Sequence, residues 1–369
     1  MSVLVTGSKG FIGKNLIIRL NELNIQFITY NRDNSINDLK KLIKDADCIV
    51  HLAGVNRPEN SKDFVDINVG LTKAICYYIK LLGKKIPIIF ASSTQVNLNN
   101  KYGKSKLDAE KSIKELEVEA GCPVYIYRLP GVFGKWCKPN YNSVVATLCN
   151  NICQDLPIQI DDRETEITLI YIDDLVEEFV KAIQRINNNK TKLSVQPEYK
   201  IKLGDLVDNI NMLKESRTKL FTEKVGSGFL RKLYSTYLSY LSPDQFSYAI
   251  PSYDDARGKF AEVLKTNDSG QFSFFTANPG VTRGNHYHHT KIEKFLVIKG
   301  KARFCFEHII SGEIYEITTT SKLLKIVETT PGWSHNITNI GKDEMIVLLW
   351  ANEIFNPEKP DTKAHNLRR

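Results

Sequence analysis

The feature that most narrows the fold of this chain is a change of rhythm along it. Up to about Leu129, short apolar runs (VLVT, QFITYN, CIVHLAG, IPIIFASS, VYIYRL) alternate with longer amphipathic stretches such as FIGKNLIIRLNEL and GKSKLDAEKSIKELEVE. The runs are apolar at nearly every position, as strands covered on both faces must be, whereas Ile12, Leu16, Leu20 and Leu23 recur on one helical face. This alternation predicts an α/β fold whose N-terminal part is a doubly wound parallel sheet. Beyond about Tyr199 the rhythm fades. From Gly270 onward only short β-branched or aromatic runs remain (QFSFFTA, FLVIKGKARFCFEHI, EIYEITT, LLKIVE, MIVLLWAN), with turns at Pro279-Gly280, Lys299-Gly300 and Pro331-Gly332. That spacing predicts an all-β sandwich or barrel at the C-terminus.

The intervening segment KLYSTYLSYLSPDQFSYAIPSYDDARG is aromatic and serine-rich, and its tyrosines are expected to pack on the first domain, since disordered linkers are poor in aromatics. The domain change is placed near Phe246, giving domains 1–245 and 246–369. A length of 369 residues, beyond what one core usually serves, agrees with two domains.

Composition removes several function classes. No stretch is apolar for the length needed to cross a bilayer, and MSVLVTG does not read as an export signal, so no membrane role is expected. The seven cysteines form no CxxC pair, which points to a reduced, cytoplasmic protein. Net charge is +8, but lysines and arginines are dispersed rather than gathered with aromatics, so nucleic acid is not the expected partner. A mild basic excess suits phosphate-bearing small molecules.

In TGSKGFIG, Gly7, Gly10 and Gly13, with Phe11 and Ile12 between the last two, directly follow the first strand and open the first helix. Glycine there permits a tight turn and lets backbone N–H groups reach a pyrophosphate at the helix N-terminus, so a dinucleotide is the expected ligand. After the second strand, Arg32 stands where an acid would hold the ribose hydroxyls of NADH. Arginine accommodates a ribose phosphate, so NADPH is expected; the adjacent Asp33 keeps NADH as the alternative.

Tyr102 and Lys106, four apart in YGKSK, share one helical face, and Ser93 closes the strand before them. An ammonium and a bound nicotinamide are expected to favour the phenolate, letting Tyr102 exchange a proton near neutral pH while Ser93 bonds the same substrate oxygen.

TGSKGFIG, HLAG, DINVG, SST, YGKSK and RLPGVFG together resemble the extended short-chain dehydrogenase/reductase family acting on nucleotide sugars, whose cofactor domain is a Rossmann fold. The resemblance implies a proton relay of Ser93, Tyr102 and Lys106. It also implies cofactor contacts at Leu52, Ala53, Gly54 and Asn68, and a substrate side near Arg128 and Lys138. Gly131 departs from the asparagine common in such relatives.

In the second half, GVTRGNHYHHTKIEKFLVIKG has the form G-x5-H-x-H-x4-E-x6-G, and PGWSHNITN follows. His286 and His288, one residue apart on a strand, project from the same face, Glu293 follows, and His335 returns from a distant strand. Three imidazoles and a carboxylate suit an open site for zinc, iron, manganese or nickel, with zinc the expected ion. His289 alternates to the other face. The two stretches resemble cupin motifs. Epimerases of that superfamily often bind no metal and use the first histidine as a base, so His286 has two readings, ligand or base. DDARGKFAEVLKT resembles the opening of the deoxysugar 3,5-epimerase family, which implies nucleotide contacts at Arg257 and Glu262.

Over its whole length, through GVNRP, FGKWCKPNYNSV, LYSTYLSYL and GNHYHHTK, the chain resembles the CapF-type family of bifunctional capsule enzymes of N-acetyl-L-fucosamine biosynthesis. That resemblance implies epimerisation at carbon 3 of a UDP-linked 4-keto-6-deoxy amino sugar in the cupin, reduction at carbon 4 with NADPH in the first domain, and a homodimer. The rival expectations are a reductase or epimerase with a passive, sugar-binding cupin, or a non-catalytic sensor.

Overall fold

The computed structural model describes residues 1–60, 62–184, 193–251, 253–255, 258–260, 263–266, 270–353 and 356–368. In chain order its first half comprises β1 (Ser2–Thr6), α1 (Phe11–Glu22), β2 (Gln26–Tyr30), α2 (Ile36–Asp45), β3 (Cys48–His51), α3 (Leu71–Leu81), β4 (Ile88–Ser93), α4 (Lys101–Ala120), β5 (Val124–Leu129), β6 (Gly131–Phe133), α5 (Val144–Cys153), β7 (Glu166–Tyr171), α6 (Ile172–Gln184) and β8 (Glu198–Lys202).

Two compact units emerge, Met1–Ser143 with Glu166–Ile201, and Val144–Thr165 with Lys202–Arg369. The first unit holds a parallel sheet of order β2-β1-β3-β4-β5. Every residue of β3 and β4 is buried, which explains the unbroken apolar runs in the sequence. Leu39, Ile43, Ile75, Ile79, Ile113 and Leu116 from α2, α3 and α4 pack on this sheet around Leu4, Ile49 and Ile88. Strand order reverses between β1 and β3, and ligands bind at such a switch, outside the carboxyl ends of the strands. A smaller sheet, β6-β7-β8, completes the unit.

Local chemistry sets the helix ends. Ser35 and Asp38 form a reciprocal capping box on α2, Asn100 accepts the Gly103 N–H at 2.7 Å to start α4, and Gly121, at φ 65°, ends α4 in the left-handed conformation. The helix predicted around NVGLTKAICYYIKLL is interrupted: Phe64–Gly70 forms π-helical turns before α3 begins at Leu71. Such turns inside helices are frequent at functional sites.

The second unit continues with α7 as α5's packing neighbour; in chain order it adds α7 (Leu203–Lys219), β9 (Phe221–Thr222), α8 (Gly228–Leu238), β10 (Ser247–Ala249), β11 (Tyr253–Asp255), β12 (Gly258–Phe260), β13 (Lys265–Thr266), β14 (Gln271–Ala277), β15 (Thr282–Tyr287), β16 (Glu293–Lys299), β17 (Lys301–His308), β18 (Ile314–Thr320), β19 (Lys325–Glu328), β20 (Trp333–Asn339), β21 (Met345–Ala351) and β22 (Lys363–Ala364). The C-terminal module is all-β, with antiparallel sheets of order β10-β19-β16-β21-β14 and β18-β17-β20-β15-β22. Phe295 of one sheet meets Phe304 of the other, ring centroids 5.6 Å apart. Phe246 lies fully buried among Phe306, Tyr315 and Trp333. The tyrosine-rich segment expected on the first domain forms α8 and groups with the second unit, where Tyr234 and Tyr237 are buried. The unit boundaries follow packing, so residues 144–165 and 202–245 fall with the β module, whereas the boundary near Phe246 follows the change of sequence rhythm.

Candidate functional site

At the carboxyl ends of β1, β3 and β4 lies a cavity of about 470 Å³. The glycine turn forms one wall. Gly7 has φ 71°, and a Cβ on it would lie 2.8 Å from Ala53 Cα; a Cβ on Gly13 would lie 2.3 Å from the Gly7 carbonyl. Close backbone approach therefore requires both glycines. Gly10 caps α1 with no side-chain hydrogen bond, leaving the helix N-terminus facing the cavity, as an anion site requires.

Phe11, Ile12, Leu52 and Gly54 line the same cavity, as do Ser93, Tyr102, Lys106 and Lys138. Ala53 donates its N–H to Thr6 Oγ1 at 3.2 Å and abuts Gly7. The sequence reading missed Asn56, Trp136 and Tyr141 as cavity residues; they stand in GVNRP and GKWCKPNY, stretches whose role only the fold reveals. Gly131 also lines the cavity, and a Cβ there would lie 2.9 Å from Leu169 Cδ2, so a larger residue at this position requires that leucine to shift.

Near the end of β2, Arg32 is exposed, Asn31 bonds the Ser8 hydroxyl at 2.9 Å, and Lys9 pairs with Asp33. Asp33 is the acid that kept NADH as the alternative, and its pair with Lys9 is exposed to solvent.

Burial pushes the Tyr102 phenol above its ordinary value, against hydrogen bonds from Ser93 and Asn56. Lys106 Nζ donates to the Ala91 carbonyl at 2.8 Å and lies 4.8 Å from the Phe90 ring centroid. A protonated phenol is the state needed to give a proton to a carbonyl undergoing reduction. Burial lowers Lys106 to about 8, partly opposed by Glu110. The sign follows directly: as pH rises through about 8 the native ammonium loses its proton, whereas the unfolded chain keeps it to near the ordinary 10.5, so this group adds stability between those values and removes a charge from the site. With Lys106 needed as the cation, kcat/KM for reduction should fall by up to about tenfold per pH unit above about 8, and the limb should be absent in Lys106→Arg; a flat profile to pH 10 in the native enzyme contradicts this.

Behind these residues runs a buried chain of hydrogen bonds. Thr72 gives its hydroxyl proton to the Asn68 carbonyl (2.7 Å), so it accepts from His51 Nε2 (2.9 Å), and Thr6 donates to His51 Nδ1 (2.7 Å). Burial, helped by the Lys106 charge, lowers His51 to about 3, which keeps the ring neutral as this pattern demands. Both amide hydrogens of Asn68 are committed, to the Val55 carbonyl (3.0 Å) and Ser105 Oγ (2.9 Å), and Ser105 donates to the Tyr102 carbonyl (2.8 Å). Asn68 thus braces the Gly54–Val55 backbone and the turn carrying Tyr102.

Arg128 is not brought into this cavity. Its guanidinium forks onto Glu110 at 3.0 and 2.8 Å, Ser92 donates to the same carboxylate at 2.6 Å, and Arg128 lines a separate space of about 300 Å³. Arg257 and Glu262 lie outside the described residues.

In the β module, one ligand atom from each of His286, His288, Glu293 and His335 lies within 4.8 Å of the others. A bulge creates this. Gly284 (φ 110°) and Asn285 (φ 60°) shift the register of β15, and His286 then pairs across from His335 on β20. His288 is the first residue beyond β15, its ring 4.9 Å from that of His286. Glu293 opens β16, its Oε2 3.2 Å from His288 Nε2 and 3.4 Å from His335 Nε2. His288 Nδ1 donates to the Asp361 carbonyl, and its Nε2 lies within hydrogen-bond distance of Glu293 Oε2.

Burial, with the neighbouring His335 and His288, lowers His286 to about 3; burial also lowers His335. Burial acts to raise Glu293, but the imidazoles hold it well below the carboxylate range. Neither ring nitrogen of the buried His335 has a hydrogen-bond partner. Three imidazoles and a carboxylate with ligand atoms within 4.8 Å of one another are a donor set a divalent cation takes, so these residues fit one.

Two family models match: NAD dependent epimerase/dehydratase family over residues 3–196, and polysaccharide biosynthesis C-terminal domain over residues 253–363. The chain is 53% identical over 365 residues to the UDP-2-acetamido-2,6-beta-L-arabino-hexul-4-ose reductase of Pseudomonas aeruginosa, covering 99% of this chain and 98% of that one. The crystal structure of the capsular polysaccharide assembling protein CapF from Staphylococcus aureus matches with a TM-score of 0.68 at 42% identity, covering 99% of this chain and 100% of that one. The dTDP-4-dehydro-6-deoxyglucose reductase of Escherichia coli is 24% identical over 228 residues, 49% of this chain and 72% of its own.

Proposed function

Since the chain belongs to the NAD dependent epimerase/dehydratase family, and over its whole length to the CapF-type nucleotide-sugar reductases, we propose that it epimerises carbon 3 and then reduces carbon 4 of a UDP-linked 4-keto-6-deoxy-N-acetyl amino sugar. The product is UDP-2-acetamido-2,6-dideoxy-L-talose, a precursor of UDP-N-acetyl-L-fucosamine for capsule or O-antigen. The carrying observation is that one chain builds both a Ser93-Tyr102-Lys106 cavity beside a glycine turn and a separate His/Glu cluster on a β module.

For the reduction, residues 1–245 bind NADPH, with the pyrophosphate on the Gly10 end of α1 and the ribose phosphate near Ser8, Lys9 and Arg32. Ser93 orients the sugar carbonyl and Tyr102 gives its proton to the oxygen as hydride reaches carbon 4. Lys138, on the cavity wall, meets the substrate side.

For the epimerisation, residues 246–369 act as a cupin. The 4-keto group acidifies the proton on carbon 3, and its return from the opposite face inverts that centre. His286, His288, Glu293 and His335 would hold a zinc ion, which when bound supplies Lewis-acid stabilisation of negative charge on a carbonyl oxygen. His286, half-buried where His288 and His335 are buried, is the imidazole open to a substrate and takes the proton if the site works without metal. Reduction then removes the acidity and fixes the new configuration. The enzyme is assigned to the cytoplasm, where UDP-sugars are made, and to a homodimer.

Adding the UDP-4-keto sugar should consume one NADPH per sugar, with kcat/KM about tenfold or more above that with NADH. No consumption of either cofactor would leave a sugar-binding sensor instead.

A further inference from the structure

Apart from the four residues that could hold a metal, one carboxylate in the β module has no part in the function above, yet it gathers the loop that carries those residues. Asp361 lies in the C-terminal tail beyond β21. Its carboxylate accepts the backbone N–H groups of His289 (2.9 Å), Thr290 (2.6 Å) and Lys291 (2.7 Å) and the Thr290 hydroxyl (2.9 Å). Three successive N–H groups converging on one carboxylate fix the path of the chain between His288 and Glu293. The same residue's backbone carbonyl takes the His288 Nδ1 proton. Next to it, Thr362 accepts from Lys291 Nζ at 3.3 Å, and that ammonium lies 3.0 Å from Glu293 Oε1. Two neighbouring tail residues thus reach His288 directly and Glu293 through Lys291.

The tail is itself pinned. β22 pairs with β15 at His286 and Tyr287, the His365 N–H bonds the Asn285 carbonyl at 2.8 Å, Ser334 Oγ donates to the His365 carbonyl at 2.9 Å, and the Arg368 N–H bonds Glu307 at 2.6 Å. It attaches on both sides of the bulge that sets His286 opposite His335.

We propose that Asp361 is a positioning residue of the His/Glu site: its carboxylate acts as a clasp that fixes the 288–293 loop, while its backbone carbonyl holds His288 Nδ1 and so orients the ring with Nε2 towards Glu293. The inference rests on the reading of that cluster as a metal-holding site. Outer partners of metal-binding histidines that fix ring orientation typically change metal affinity by about 10–100-fold when replaced.

The test uses the full chain and zinc alone, titrated against a competing chromophoric chelator, for the native protein, Asp361→Ala, Asp361→Asn and His335→Ala. Asp361→Ala should bind zinc about 10–100-fold more weakly, and Asp361→Asn, which keeps one acceptor oxygen, should fall between it and the native protein. Amide hydrogen exchange of the metal-free protein gives a second reading: the N–H groups of His289, Thr290 and Lys291, which the Asp361 carboxylate holds, should be protected in the native chain and exchange faster in Asp361→Ala. Circular dichroism and thermal unfolding of both Asp361 variants should match those of the native chain, showing that the β module folds. Native zinc affinity in Asp361→Ala, with His335→Ala weakened, overturns the clasp alone. Native affinity in His335→Ala as well overturns the metal-site reading on which the clasp rests.

Discussion

Tyr102→Phe should lower NADPH oxidation with the keto sugar by about 10²–10⁴-fold, the usual contribution of a positioned general acid. The substitution removes one oxygen from a ring held in the first turn of α4, and the packing that positions it stays. Gly103 still caps through Asn100, and Ser105 still bonds the residue 102 carbonyl, which a phenylalanine also has. The chain from Thr6 through His51, Thr72 and Asn68 uses no atom of the phenol. NADPH binding should therefore be retained while the rate collapses, separating loss of proton donation from loss of the cavity. Oxidation at the native rate would remove Tyr102 from the reaction.

His335→Ala should lower zinc affinity by about 10²-fold or more, by removing one of the four donors that would hold the ion. Its ring is buried and meets Glu293 Oε2 at 3.4 Å, so its removal takes one imidazole away from the carboxylate and breaks no backbone bond. Its place on β20 is fixed by pairing to β17 at Phe306 and to β15 at His286, contacts of the backbone that alanine keeps. The module should remain folded with a defective site, and reduction in the first unit should continue with a sugar already epimerised. Unchanged zinc affinity would show that the cluster is not a metal site.

Much of this architecture is legible in the sequence because burial leaves a periodic mark. Strands β3 and β4 read as strands since both their faces are covered, and the glycine turn reads as a nucleotide site since its glycines fall between a strand and a helix. The spacing G-x5-H-x-H-x4-E-x6-G brings His286, His288 and Glu293 to one point because β15 and β16 are connected by a short loop, and His335 joins them because β20 lies beside β15.

What leaves no such mark is direction and partnership. Arg128 ends a strand beside the relay in sequence, but its side chain turns to Glu110, a partner set by the packing of α4. Asn68 carries a family motif, yet its amide spends both hydrogens inside the protein. The π-helical turns at Phe64–Gly70 break a pattern that reads as one continuous helix. Asp361 meets the histidine loop only through the return of the tail, and no local pattern couples the two.

The central claim is that two separate centres in one chain act on the same carbonyl sugar. It is tested most directly by incubating the UDP-4-keto sugar in deuterium oxide and reading deuterium at carbon 3 by NMR. Without NADPH, the native enzyme and Tyr102→Phe should both label carbon 3, while His335→Ala should not. Labelling that vanishes in Tyr102→Phe would place both steps in a single centre, and labelling that survives in both His335→Ala and His286→Ala would take epimerisation out of the His/Glu cluster; either result contradicts the account.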